Sequence, residues 1–449
     1  MTSAVPFREA LRVWVRVATL SFGGPAAQIA IMQRILVDEK RWIGQRRFLH
    51  ALNYCMLLPG PEAQQLATYV GWLLHGWRGG LAAGTLFVLP GFLAILLLSV
   101  VYVLFGDLPA LEGLFLGLKA AVLTVVIEAI LRVGRRALGD PWLVAIAASS
   151  FVAIFFFDVP FPLIVLSAAI LGWLGERQST RAAPVDESVG DGSEIRADAP
   201  IGDRAASTAQ PSWSRLAGVS AVWLAVWAVP FVVVGLILGA DHVLFTQATF
   251  FSKVSLLTFG GAYAVLAYVA QQAVEGYGWL GPREMLDGLG LAETTPGPLI
   301  SVVGFVAFLG AFRDPGGLDP LAAGVLGAVV TTWVTYAPCF LWIFAGAPYV
   351  EWVRSRRALS AALAGVTAAV VGVILNLAVW FAIHTLFAEV DERAWGPVRL
   401  LVPEPGSLDA WSLALAAGAA VLLFVARAGM LTTLAAAALA GLAIQLLTA

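Results

Sequence analysis

Phe22-Gly23-Gly24-Pro25 returns as Phe259-Gly260-Gly261, and Pro59-Gly60-Pro61 returns as Pro296-Gly297-Pro298, each displaced by 237 residues (259 − 22 and 296 − 59). Trp42 and Trp279 keep the same displacement, as do Arg46 and Arg283. Four ungapped coincidences define an internal duplication. Both repeated motifs are helix breakers set in apolar sequence. Interruptions at corresponding positions of two halves are a sequence pointer to a transport site in a membrane protein.

Composition agrees. Of 449 residues, 60% are hydrophobic and only 12% charged, against roughly 25% charged in a soluble domain. Apolar runs of membrane-spanning length recur at Leu81–Phe105, Leu138–Phe157, Leu216–Ala240 and Ala358–Phe387. Their continuity excludes the alternating pattern of a membrane barrel, so the expected fold class is an all-α polytopic membrane protein. Arg8, Arg12 and Arg16 interrupt any apolar core of signal-peptide length. The net charge of −2 excludes a nucleic-acid partner. Cys55 and Cys339 are isolated and the four histidines scattered, so neither a disulfide framework nor a metal spacing is present, and no cofactor is expected. None of the three lysines, Lys40, Lys119 and Lys253, is followed by Ser or Thr. A phosphate-binding loop for nucleotide is therefore excluded within the chain.

A polar stretch without aromatic residues divides the halves. The expected domains are a first membrane repeat over 1–176, a flexible cytoplasmic linker over 177–214, an extra helix over 215–240 and a second repeat over 241–449. Each repeat reads as a segment broken at Gly-Gly, a segment broken at Pro-Gly-Pro, then four apolar segments. An even number of crossings per repeat, plus one extra helix, turns the second copy upside down, the inverted arrangement of many secondary transporters. Arg132, Arg135, Arg136, Arg354, Arg356 and Arg357 mark cytoplasmic loops. Asp107 with Glu112, Asp158, Asp241 and Glu389–Glu392 then fall outside, with the N-terminus inside.

The broken segments admit two readings, full crossings or re-entrant hairpins. Arg34, Lys40, Arg41, Arg46 and Arg47 crowd the loop of the first pair, whereas Glu275, Glu284 and Asp287 accompany Arg283 in the second. Hairpins put the cationic loop inside and the acidic one outside, as the charge rule prefers.

Glycine ends a helix, and proline starts the next one at no cost in hydrogen bonds. Pro25, Pro61, Pro298 and Gly261 therefore mark four helix starts. Each offers unpaired N–H groups and about +0.5 of charge, together a counter-charge for a doubly negative oxyanion. The alternative is that these residues only kink helices for packing. Gln28, Gln64, Tyr263, Thr294, Thr295 and Ser301 surround the motifs, as hydrogen-bond donors to substrate or as partners for freed backbone groups. Arg16 and Lys253 correspond at the same displacement and are candidate cations of the anion path, or snorkel to the interface. Lys119 is a candidate intramembrane charge, with an ion pair to a neighbouring helix as the alternative. Glu62, which follows Pro61, either stabilises a helix start or carries a proton; its counterpart is Leu299. Gly80/Gly84 and Gly113/Gly117 read as packing faces, and Trp42 and Trp279 as interface anchors.

Ser21-Phe22-Gly23-Gly24-Pro25, Leu58-Pro59-Gly60-Pro61-Glu62 and Thr294-Thr295-Pro296-Gly297-Pro298 resemble the chromate ion transporter family, over about residues 10–175 and 245–449. The resemblance implies a bacterial inner-membrane protein that exports chromate at the expense of the proton-motive force, with protons as coupling ion and sulfate as competing substrate. Sulfate uptake or exchange is the main alternative; a passive channel or an intramembrane enzyme are others. A homodimer is compatible with this. One departure from the pattern is Ala262, which stands where the first copy has Pro25.

Overall fold

The computed structural model describes residues 5–106, 108–178, 212–259, 262–349, 357–396 and 398–448. Most of the expected linker, together with Asp107, Gly260, Gly261, Arg354 and Arg356, lies outside the described residues.

Each half opens with two broken hairpins. Helix α1 (Phe7–Leu20) stops at Ser21, and α2 (Gly24–Gln33) starts after Gly23, then runs on as a π-turn over Arg34–Glu39. Lys40 Nζ meets Glu9 at 2.9 Å, and Arg16 meets Glu39 at 2.8 Å. The far end of the second arm thus returns to the start of α1, with the break at the tip. Helix α3 (Gln45–Cys55) and α4 (Glu62–Phe105) form the next pair. Non-helical His75 and Gly76 divide α4 into a short arm, 62–74, and a long arm, 77–105. The arms double back tightly: a Cβ on Gly71 would meet Gly79 O at 2.4 Å, and one on Gly79 would meet Gly71 O at 2.2 Å. His75 Nε2 lies 2.7 Å from Val5 O, so the ends of both hairpins share one face with the start of α1.

Helices α5 (Pro109–Ala137), α6 (Pro141–Phe157) and α7 (Phe161–Gln178) complete the first half. The extra helix α8 spans Trp213–Ile237. The second half repeats the order: α9 (Val243–Leu257), α10 (Ala262–Gln271) with its π-turn Gln272–Gly276, α11 (Pro282–Thr294), a 3-10 turn Leu299–Ser301 leading into α12 (Val302–Arg313), and α13 (Pro320–Gly346). Then come α14 (Arg357–Leu386), α15 (Ala410–Ala420) and α16 (Met430–Thr448). Repetition reaches single bonds: Trp42 N donates to Leu36 O at 2.8 Å, and Trp279 N to Ala273 O at 2.8 Å. Both indoles fill their loops, 4% and 6% exposed, and are not the interface anchors expected. The loop turns so sharply after the π-turn that the ring drops onto its own hairpin; Trp279 stacks on Tyr277 with centroids 4.4 Å apart.

The duplication continues past the motifs, with its displacement changed. Pro90 and Phe92 correspond to Pro338 and Phe340 (338 − 90 = 248), and Asp140 and Trp142 to Asp409 and Trp411 (409 − 140 = 269). Both aspartates cap their helices by accepting from the tryptophan N–H two residues on. The second increment is a β-hairpin, β1 (Val390–Trp395) paired antiparallel with β2 (Val398–Pro403), which qualifies the all-α expectation. Arg399 ties it to Asp158 at 3.4 Å.

The halves exchange packing partners through small residues. On α5, a Cβ at Gly117 would meet Ala437 O of α16 at 1.8 Å; on α14, one at Gly365 would meet Ala168 O of α7 at 2.3 Å. Gly113 abuts Gly441 and Gly80 abuts Phe344, so the glycine pairs do serve as packing faces. Gly80 meets Phe344 while Gly84 meets Phe340, so the long arm of α4 and its counterpart α13 run antiparallel. Apolar side chains also cover the outside: Leu97 of α4 is 64% exposed and Leu236 of α8 83%, which suits lipid rather than water. Among the described residues six helices are long and apolar enough to cross a membrane, and the chain is a multi-pass membrane protein.

Gly117→Leu should force α5 from α16 and lower the thermal unfolding midpoint in detergent by several degrees, as overpacking costs about 1–3 kcal/mol. Gly418→Leu, whose Cβ would meet nothing within 4 Å, should leave the midpoint unchanged.

Candidate functional site

The four breaks do not stand apart; they interlock across the halves. Gly60 N donates to Thr258 O at 2.8 Å, and Gly297 N donates to Ser21 O at 2.7 Å. Residues 21 and 258 are counterparts, and so are 60 and 297, so the two bonds are one contact made twice. Each Gly-Gly break therefore meets the Pro-Gly-Pro break of the other half. Glycine is required at both donors, because φ is +117° at Gly60 and +99° at Gly297. Pro90 and Pro338 bring a further matched contact: Gly91 packs on Pro296 and Gly297, and its counterpart Cys339 packs on Gly60. Along α13, Tyr336 bonds Ser301 at 3.1 Å one turn from the Cys339 contact, so both Pro-Gly-Pro breaks flank the same turn.

These bonds revise the expected role of the motif glycines. The amides of Gly60 and Gly297 are occupied by backbone carbonyls rather than free for an anion. The helix starts themselves lie where expected, with small shifts. Pro25 occupies the first turn of α2, while Pro61 and Pro298 sit one position earlier, as caps. Gly261 is outside the described residues, and α10 begins at Ala262. The first-turn N–H groups of α2 and α4 have no partner within their own helices. Phe22 and Phe259 make identical turns, donating to Leu20 O and Leu257 O at 3.0 Å. Pro59 O accepts from Gln65 Nε2 at 2.7 Å.

The polar residues mostly serve the freed backbone. Gln28 donates to Gly297 O at 2.6 Å, Thr294 to Leu291 O at 2.9 Å and Thr295 to Ala292 O at 3.1 Å. Gln64 donates to Thr68 at 3.2 Å. The amide oxygens of Gln28, Gln64 and Gln65 are buried without a partner among the described residues; turning an amide over exchanges that oxygen for two donors.

The cations divide. Arg16 is half-exposed in its pair with Glu39, and Lys253 is exposed. The inward face of α1 is Ala10, Val13, Trp14, Val17 and Ala18, and Arg16 falls opposite it. Neither is buried, which suits the snorkelling alternative. Lys119 is mostly buried and meets Asp287 of α11 at 3.3 Å, where Tyr102 of α4 also donates at 2.9 Å. Glu62 opens the short arm of α4 without an ion pair among the described residues. Two acidic groups escaped the sequence reading as site residues. Asp287 looked like part of a solvated loop. Glu293, 2% exposed, accepts from the Tyr263 hydroxyl; an acid directly before Thr-Thr-Pro-Gly-Pro was its available signal.

The chromate transporter family description matches residues 8–173 and 245–442, one stretch per half. A chromate transport protein of Pseudomonas aeruginosa is 33% identical over 83% of this chain and 81% of its own length. One from Cupriavidus metallidurans is 28% identical over 84% and 82%. The uncharacterized transporter YwrA of Bacillus subtilis aligns over 89% of its own length but 34% of this chain, at 27% identity. No solved structure matches. Two family matches in register with the duplication, and relatives similar along most of their length, place the chain in the chromate transporter family.

Proposed function

We propose that the protein is a secondary transporter that exports chromate across the bacterial inner membrane, with its N-terminus cytoplasmic. The observation carrying this reading is the convergence of four helix breaks from two halves, in a chain whose relatives are named chromate transport proteins. A tetrahedral dianion would sit against the first-turn N–H groups at the helix starts set by Pro25, Pro61 and Pro298, near Gly24, Gln28, Glu62 and Thr295. No fixed cation is required there, so the ion is not trapped.

The halves act as inverted repeats, 1–176 and 241–449, with 215–240 as the inverting helix. Supporting this are the antiparallel counterparts α4 and α13 and the exchanged contacts α5–α16 and α14–α7. Rocking of one half against the other would break and remake the Gly60–Thr258 and Gly297–Ser21 bonds around the ion. Export suits the electrical gradient. A dianion leaving a negative interior gains about 4.6 kcal/mol per 100 mV, at about 2.3 kcal/mol per charge, or roughly a 10³-fold concentration ratio. Lys119 on this reading fastens α11 to α5 rather than meeting the ion.

In proteoliposomes, an imposed interior-negative potential should accelerate loss of radiolabelled chromate, with sulfate as a competing substrate. Gly24→Leu should abolish that flux while the protein stays in the membrane, since φ at Gly24 is +75°; normal flux would move the site elsewhere. Cysteines replacing Lys40 and Arg283 should react with impermeant reagent from opposite sides. Reaction from one side only would rule out inversion. Lys119→Met or Asp287→Asn alone should lower stability by about 3–5 kcal/mol, as loss of one partner of a buried pair does. Lys119→Met with Asp287→Leu should recover most of it and retain transport, read by scanning fluorimetry beside flux.

A further inference from the structure

Glu293 is buried where the fold opposes a negative charge. It is the second-last residue of α11, beside the helix's carbonyl end, whose partial charge is negative. One oxygen accepts from the Tyr263 hydroxyl; the other, Oε2, is buried with no hydrogen-bond partner among the described residues. Tyr263 is the second residue of α10. The pair therefore links the Gly-Gly break of the second half to its Pro-Gly-Pro break, three residues from Pro296.

Several charged groups on the elements packed against α11 are paired with other residues. On α5, Arg132 pairs with Glu128, and Lys119 pairs with Asp287, to which Tyr102 of α4 also donates. Arg313 of α12 pairs with Glu284, and His384 Nδ1 of α14 lies 2.9 Å from Trp380 O. Helix α16 carries no titratable residue. Glu62 differs: it begins a helix, where the positive end of the dipole supports its charge.

We infer that Glu293, held by Tyr263, is a proton-binding site linked to the anion site: a proton there removes a negative charge beside the Pro296-Gly297-Pro298 break, so proton and oxyanion bind together. This rests on the oxyanion reading above. The step is a simple protonation. The Glu293 carboxylate takes a proton delivered by water and becomes the neutral acid; Tyr263 keeps its own proton, and no other bond changes. Uniting one proton with a dianion also halves the charge moved per cycle.

The test is proton uptake on anion binding, read with a pH indicator in weakly buffered detergent solution, using chromate and separately sulfate between about pH 5 and 8. The wild-type protein should take up about one more proton per bound anion than Glu293→Gln within the Glu293 titration range. Any protonation of the anion itself is common to both and cancels. The affinity of Glu293→Gln should stay within about threefold of the wild-type value at the acidic end. Tyr263→Phe should keep the linkage but move its window to higher pH, because the lost hydroxyl donation had supported the carboxylate form. Equal proton counts for wild type and Glu293→Gln would overturn the inference, and so would an unmoved window in Tyr263→Phe if the first variant does not fold. Failure of the wild-type protein to bind either oxyanion at any pH would instead overturn the transport reading and this inference with it.

Discussion

Two backbone hydrogen bonds, from Gly60 to Thr258 and from Gly297 to Ser21, constrain everything around them. A broken helix inside an apolar protein exposes amides and carbonyls that water cannot reach, and leaving such a group unpaired costs about 1–3 kcal/mol. Here the surplus donor of one half answers the surplus acceptor of the other. Neither half can make these two bonds alone. The close approach this demands explains the left-handed glycines, and also Gly91, where a Cβ would meet Pro296 O at 2.4 Å.

The outer helices obey the same logic of exchange. Helix α5 packs on α16 of the other half through Gly117 and Gly441, and α14 packs on α7 through Gly365 and Gly172. In lipid there is no hydrophobic drive to bring helices together, so close backbone approach between small residues supplies the attraction. The two halves are thus joined at the centre by hydrogen bonds and at the periphery by small-residue contacts.

Much of this was legible in the sequence because glycine and proline act locally. The helix breaks at Gly23-Gly24 and Pro59-Gly60-Pro61, the apolar helices and the packing role of Gly113 and Gly117 follow from residues read where they stand. What was hidden depends on distance. A displacement of 237 relates residue 60 to 297, but nothing in it says that 60 meets 258. The repeat of Pro90 and Pro338 was masked because extra residues around the α12–α13 connection change the displacement to 248. The β-hairpin changes it again, hiding the matched caps Asp140 and Asp409. For Arg16 and Lys253 the sequence left two readings open, because position relative to a break does not say which face of a helix turns inward. Glu293 and Asp287 were overlooked because a charge near a break reads as loop, whereas both arms of the break are buried.

The side chains are less symmetric than the backbone they hang on. Glu62 faces Leu299 across the duplication, Glu293 faces Met56, Tyr263 faces Ala26, and Lys119 faces Thr367. The duplicated backbone supplies two matched sets of contacts, while these four ionisable side chains each stand in one copy only. That division has a physical reason. On the proposed reading, a second copy of Glu293 at position 56 would put a further negative charge beside the anion, and the repulsion would act on the ion as well as on the carboxylates. On that proposed reading, one proton on Glu293 changes the charge that an oxyanion meets. The same backbone breaks still present helix N-termini from both sides.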